Sequence, residues 1–292
     1  IKEGDYLDCT FGGGGHSRKI LEASPNVRLL SMDCDPDAKI RAGNLESAYG
    51  DRFRFVDSDF QSIDQYSGAQ EFDGVLMDLG ISSFQLMEAA KGFSFRLDAP
   101  IDMRLNPRVG QSAADFLETA SRESLVRAVR EYGEERRWSR VVNAIVDARG
   151  TGKLQRTLSA AELVTQAVGG VRARQRIHPA TKTFQGVRIA INGELEALAM
   201  TLPKVFRALK PGGMLAVISF HSLEDRIVKR FMRKMSGRPQ HRGDRSFVAE
   251  RTAYAEMVQS KAIFPRKDEV ESNPKSRSAR LRVLKKIRHP EF

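Results

Sequence analysis

Cysteine is scarce in this chain, with two in 292 residues, too few for a disulfide framework. Cys9 and Cys34 close two early apolar runs, so reduced thiols in a cytoplasmic setting are expected. Long hydrophobic runs are missing too. None approaches the roughly 18 to 20 residues needed to span a bilayer, and no secretory leader is visible, so a membrane role is not expected. The two cysteines and five histidines show no ligand spacing, which argues against a metal site. Acidic residues are in deficit, at 37 against 48 Lys plus Arg, a formal charge of +11. That excess favours a polyanionic partner without identifying it. The chain opens at Ile1 without a methionine, so some natural N-terminal sequence is expected to lie outside it.

What remains is the composition of a soluble globular protein, 41% hydrophobic and 29% charged. The first part alternates β-rich apolar runs with helical patterns. Strands are predicted over Tyr6–Phe11, Val27–Asp33, Phe53–Asp59 and Phe72–Leu79, with helices over Ser17–Ala23 and Pro36–Ser47. Such alternation predicts an α/β fold with a parallel sheet, and ligands of such sheets sit beyond the carboxyl ends of the strands. In the usual doubly wound order the fourth strand lies beside the first.

After Asp78 the alternation stops, and from about Leu105 to Arg176 the pattern is helical and rich in arginine. Trp138, Val141, Val142, Ile145 and Val146 form one apolar stripe, with Arg136, Arg137 and Arg140 outside it. Ser159 and Glu162 fit a capping box. The expected division is a discontinuous domain of residues 1–104 and 182–292 around an inserted helical domain, 105–181. The α/β pattern resumes with one helix over Phe184–Leu209, or two broken at Pro203, stopped by Lys210-Pro211-Gly212-Gly213. A fifth strand, Met214–Phe220, leads to a basic helix through Met235 with Ser222 as its N-cap. Gly237–Arg251 reads as a polar loop, and Tyr254–Phe264 with Ser278–Ile287 as two antiparallel edge strands. The basic Asn273–Arg282 stretch is either a face for a phosphate backbone or a charged edge guarding against aggregation.

The richest local signal is Asp8-Cys9-Thr10-Phe11-Gly12-Gly13-Gly14-Gly15-His16-Ser17, a strand end followed by four glycines. A turn of this kind brings bare backbone up to a ligand. Ser17 stands where a dinucleotide fingerprint needs its third glycine, which counts against a nicotinamide-dependent oxidoreductase. Asp8-x-Thr10-x-Gly12-x-Gly14 suits a nucleoside ligand without a pyrophosphate, and S-adenosylmethionine is the expected one. Asp33 ends the second strand, where an acidic side chain can accept from ribose hydroxyls. Asp35 before Pro36 fits a helix N-cap better, and Phe60 suits either an adenine contact or plain core. Asp78 follows the fourth strand, where a carboxylate can accept an N–H from an exocyclic amine undergoing methylation. His178, Lys182, Phe184, Gln185, Arg188, Asn192, His221 and Ser222 are candidates to surround a flipped nucleotide. Each alone reads more readily as structural, for example as a helix cap or a core histidine.

Taken together these motifs resemble one family. They include Thr10-Phe11-Gly12, Gly14-Gly15-His16-Ser17, Asp33-x-Asp35-Pro36, Met77-Asp78-Leu79-Gly80-Ile81-Ser82-Ser83 and Gly92-Phe93-Ser94-Phe95. Asp102-Met103-Arg104, Tyr132-Gly133-Glu134-Glu135, Phe184-Gln185 and the run Ile218 to Phe231 complete the set. The chain is similar, from about Tyr6 to Lys286, to the RsmH (MraW) family of ribosomal RNA small-subunit methyltransferases. The resemblance implies a class I (Rossmann-like) S-adenosylmethionine-dependent methyltransferase sheet with an inserted helical domain. It also implies methyl transfer to N4 of a cytidine in the decoding centre (P site) of 16S ribosomal RNA. Gly14, Gly15, His16, Asp33, Phe60, Asp78 and Gln85 match the family's cofactor contacts. The other reading is a non-catalytic RNA-binding assembly factor that retains the fold, and a homodimer is left open. Phe84 and Met87 depart from the family's usual proline and aspartate. Gly186 replaces a usual alanine, a change expected to loosen its helix by up to about 1 kcal/mol.

Overall fold

The computed structural model describes residues 3–67, 71–170, 177–241, 244 and 252–290. In chain order the elements are β1 (Glu3–Asp8), α1 (Gly15–Glu22), β2 (Asn26–Asp33), α2 (Pro36–Tyr49), β3 (Phe53–Asp57), α3 (Ile63–Ser67), β4 (Phe72–Asp78) and α4 (Ser83–Met87). Then follow α5 (Ala113–Thr119), α6 (Arg122–Val126), a π-helical stretch (Arg127–Tyr132), α7 (Trp138–Asp147), α8 (Thr157–Ala167), α9 (Ala180–Asn192) and α10 (Glu194–Arg207). The chain ends with β5 (Leu209–Ser219), α11 (Ser222–Met235), β6 (Ala255–Met257), α12 (Lys267–Ser272) and β7 (Arg280–Lys286). Most of the polar loop expected over Gly237–Arg251, and the Arg176 end of the helical region, lie outside the described residues.

Two compact units form, one of residues 1–80 and 195–292, the other of 81–194. The expected insert, 105–181, falls inside the second, which extends further at both ends. Phe93, Ile101 and Met103 on one side, and Phe184 and Val187 on the other, belong to its hydrophobic core.

The first unit holds a seven-stranded Rossmann-like sheet in the order β3-β2-β1-β4-β5-β7-β6. The pairs from β3 to β5 are parallel, and β7 runs antiparallel to both β5 and β6. The chain winds from β1 outward to β3, then returns to lay β4 against β1, with Leu7 opposite Val75. Between β1 and β4 lies the switch point, where two carboxyl ends open a crevice. Leu7, Met32, Met77 and Val217 pack with Leu202 and Phe206 of α10 and Met232 of α11. Phe11, Leu29 and Phe53 pack with Ala38, Ala42 and Leu45 of α2. With both faces covered, these strands read as near-continuous apolar runs.

Several expectations are corrected here. β1 ends at Asp8, not Phe11, because Asp8 turns inward and its carboxylate takes the Thr10 N–H at 3.1 Å. The Lys210–Gly213 stretch lies within β5 and does not stop a helix. The break in the long helix falls at Gly193, and α10 runs through Pro203. β7 is an inner strand between β5 and β6, so it is no charged edge. Lys286, fully buried at its end, donates to the Arg207 carbonyl at 3.0 Å and to that of Leu209. It thereby satisfies the Arg207 carbonyl that the end of α10 leaves open, together with one at the start of β5.

The second unit is helical and has its own core. Val141, Val142 and Ile145, three of the predicted stripe, are buried, with Trp138 and Val146 packed on them. α8 begins at Thr157, two residues before the expected cap at Ser159. The Thr157 hydroxyl donates to Leu97 O at 2.7 Å and accepts the Ala99 N–H at 3.0 Å, which fixes the start. α9 lies against the π-helical stretch at very short range. A Cβ on Gly186 would meet the Ala128 carbonyl oxygen and come within 2.6 Å of Gly133 N. Gly186 therefore permits backbone-to-backbone packing, which overturns the expectation that it merely loosens the helix.

Candidate functional site

The crevice between β1 and β4 is lined from the sequence outward by the glycine turn and Asp78. Gly14 adopts φ 76°, and a Cβ there would lie 2.7 Å from the Phe11 ring, so the turn closes only with glycine. α1 begins at Gly15, which leaves the N–H groups of Gly15, His16 and Ser17 without acceptors inside the helix. A Cβ on Gly15 would meet nothing within 4 Å, so this backbone faces open space.

Three anchors hold the turn. The Phe11 N–H donates to Met32 O at 2.9 Å. The Gly12 N–H donates to Asp33 Oδ2 at 2.7 Å, while Arg41 Nε donates to the Gly12 carbonyl at 3.0 Å. Asp33 Oδ1 also takes the Asp35 N–H at 2.9 Å, and burial raises its carboxyl to about 6. Asp35 is the α2 N-cap, as expected, and accepts the Asp37 N–H at 3.1 Å. Arg41 was not legible as a site residue, because nothing in helical spacing says which turn an arginine reaches.

Beneath the turn lies a buried polar network. Asp8 accepts from the Ser17 hydroxyl at 2.6 Å, and Ser17 and Ser31 Oγ lie 2.9 Å apart. Ser17 occupies the dinucleotide glycine position because its hydroxyl binds this carboxylate. Burial raises the Asp8 pKa, against the Ser17 and Thr10 hydrogen bonds that lower it. Thr10 Oγ1 then accepts the Asp78 N–H at 2.7 Å. Asp78 is thus fixed through its backbone by the turn after β1, and its Oδ2 lies 3.4 Å from His16 Nε2. Its Oδ1 is buried with no hydrogen-bond partner among the described residues. Such an orphaned acceptor suits an amine N–H donor. Together with the open glycine backbone, it fits a nucleoside-bearing cofactor. Burial pushes the Cys9 and Cys34 thiols up, which makes both poor nucleophiles.

Phe60 and Gln85 are the remaining cofactor candidates. β3 stops at Asp57, so Phe60 opens a short 3-10 turn capped by Asp59, whose Oδ1 takes the Gln61 N–H at 2.7 Å. Phe60 is half-buried against the main core. Gln85 belongs to the second unit, where it completes the capping box of α4 by accepting the Ser82 N–H at 2.9 Å.

The substrate candidates are divided between the two units. His178 is exposed just ahead of α9, Lys182 and Gln185 lie three residues apart on that helix, exposed and half-buried, and Phe184 is buried. Arg188 forms a two-pronged pair with Glu194 at 2.8 and 2.9 Å. Asn192 accepts the Leu105 N–H at 2.8 Å and donates to Met103 O at 2.8 Å. In the first unit His221, not Ser222, caps α11. Its Nδ1 takes the Glu224 N–H at 3.4 Å, and Glu224 in return takes the His221 N–H at 3.2 Å. Along α11 the cations Arg226, Lys229, Arg230, Arg233 and Lys234 share one face at three- and four-residue spacing.

The model of the MraW methylase family matches residues 1–287. The chain belongs to this family. Among its relatives is a ribosomal RNA small subunit methyltransferase H from Cereibacter sphaeroides, 47% identical over 284 residues, covering 96% of this chain and 84% of that one. The protein of the same name from Hydrogenovibrio crunogenus is 43% identical, covering 97% and 91%. That from Thermomicrobium roseum is 42% identical, covering 98% and 89%. Among solved structures, an rRNA methylase from Streptococcus thermophilus aligns with a TM-score of 0.43 at 9% identity, covering 98% of this chain and 88% of that one. Among the described residues no group of three or more His, Cys, Asp or Glu is arranged to hold a metal, and no helix is long and apolar enough to cross a membrane.

Proposed function

We propose that this protein transfers a methyl group from S-adenosylmethionine to N4 of a cytidine in the decoding centre (P site) of 16S small-subunit ribosomal RNA. The observation that carries the reading is Asp78, at the carboxyl end of β4 beside the glycine turn, with one carboxylate oxygen buried and without a hydrogen-bond partner among the described residues. The family, and the small-subunit name carried by its relatives, support the substrate class. The net charge of +11 and the cationic face of α11 supply what a phosphate backbone needs.

Gly14, Gly15, His16 and Asp33 would hold the cofactor, which supplies a methyl group on a positively charged sulfur. The chemistry left to the protein is to ready the amine. The lone pair of a cytosine amine is delocalised into the ring, and an acceptor on its N–H helps localise it. Asp78 Oδ1 accepts that N–H. As the N–C bond formed, the methyl–sulfur bond would break with the neutral thioether S-adenosylhomocysteine as leaving group, and Asp78 Oδ1 would take the proton that the cationic nitrogen releases.

Labelled methyl from S-adenosylmethionine, followed into small ribosomal subunits and mapped by mass, tests the reading. Wild-type protein is expected to modify a single cytidine at N4, and Asp78→Ala to lose at least a hundredfold in rate. An Asp78→Ala variant as active as wild type would remove the proposed acceptor. Modification of any other base would remove the substrate.

A further inference from the structure

His178 is exposed, yet its ring is pinned at two points within the helical unit. The Phe95 ring centroid lies 4.6 Å from that of the imidazole, the two planes 39° apart, and Phe95 is backed edge-on by Phe184 at 4.9 Å. His178 Nδ1 takes the Ala180 N–H at 3.2 Å. In the neutral ring this leaves the proton on Nε2. An exposed side chain ordinarily keeps its rotamer freedom, and ordering one costs free energy.

The surroundings say what the ordered ring suits. Lys182, in the first turn of α9, follows His178 by four residues, its Nζ donating to the Glu134 carbonyl at 3.0 Å with two further N–H donors to offer. Gln185, a turn beyond, adds an amide. An aromatic face, a cation and an amide in sequence match base, phosphate and base edge of a single-stranded nucleotide.

We propose that the outer face of His178, backed by Phe95, is a stacking platform for an unpaired RNA base, with Lys182 on the adjoining phosphate. Phe95 thereby becomes a substrate-positioning residue. This rests on the reading of RNA as substrate.

Two substitutions in the full chain separate stacking from helix capping. His178→Asn keeps an acceptor for the Ala180 N–H but has no ring. His178→Phe keeps a ring but has no acceptor. The readouts are the dissociation constant for a single-stranded oligocytidylate, the melting temperature and the affinity for S-adenosylhomocysteine. His178→Asn is expected to melt and bind S-adenosylhomocysteine as wild type does, while losing about tenfold in RNA affinity. His178→Phe should recover most of that affinity whatever its melting temperature. RNA binding by His178→Asn at wild-type strength overturns the platform, as does His178→Phe binding no better than His178→Asn. Wild-type protein that binds neither the oligonucleotide nor small ribosomal subunits would instead overturn the RNA reading itself.

Discussion

His16 Nε2 and Asp78 Oδ2 face each other at 3.4 Å across the crevice between β1 and β4. Asp78 is held from two directions, by this imidazole and by Thr10 through its backbone N–H. Its other oxygen, Oδ1, is left pointing where no protein donor reaches among the described residues. A carboxylate constrained in this way presents one acceptor in one direction, which positional catalysis requires.

The same contact tunes His16. Its pKa is raised, first by the hydrogen bond to Asp78 and against the opposing effect of burial. A histidine raised in the folded state stabilises the protein below its unfolded value near 6.5 and loses that contribution as pH rises through the folded value. Asp78→Asn is expected to lower the His16 pKa, read as the titration of its ring protons by NMR. An unchanged midpoint would mean that the two side chains do not interact in solution.

Asp33 predicts a pH slope of the same sign, over a more acidic window. Its carboxyl sits at about 6 when folded, against an ordinary value of 3.8. Ionisation therefore costs stability, fully above about pH 6 and not at all below the ordinary value. Asp33→Asn removes this titration but gives up one of the two backbone N–H bonds. Urea unfolding should find the variant better placed relative to wild type at pH 8 than at pH 4.5, by on the order of 2 kcal/mol. A pH-independent difference would contradict the burial of the charge.

Gly186→Ala tests the close approach of α9 to the π-helical stretch. Helix propensity alone favours alanine by about 1 kcal/mol. Here the new methyl would meet the Ala128 carbonyl oxygen and Gly133, and overpacking of this kind costs about 1–3 kcal/mol or more. A melting temperature several degrees below wild type is expected. A rise would show that α9 stands off the π-helical stretch enough to admit a Cβ.

Local pattern carried the α/β class, the helical region, the β1–β4 adjacency and the glycine turn, because each is written in hydrophobic period or in residues with few allowed backbone states. Asp33, Asp35 and Asp78 were legible for the same reason, since strand ends and prolines mark where polar side chains leave an element. Partners across the chain were not legible. Nothing in spacing tells that Arg41 reaches the Gly12 carbonyl, that His221 rather than Ser222 caps α11, or that Phe95 backs His178. Gly186 makes the case most plainly: helix propensity judged it a weakness, while the proximity of the Ala128 carbonyl makes it a requirement. Periodicity is a property of neighbours along the chain. Close approach, charge pairing and orphaned acceptors are properties of neighbours in space, and only the folded structure decides them.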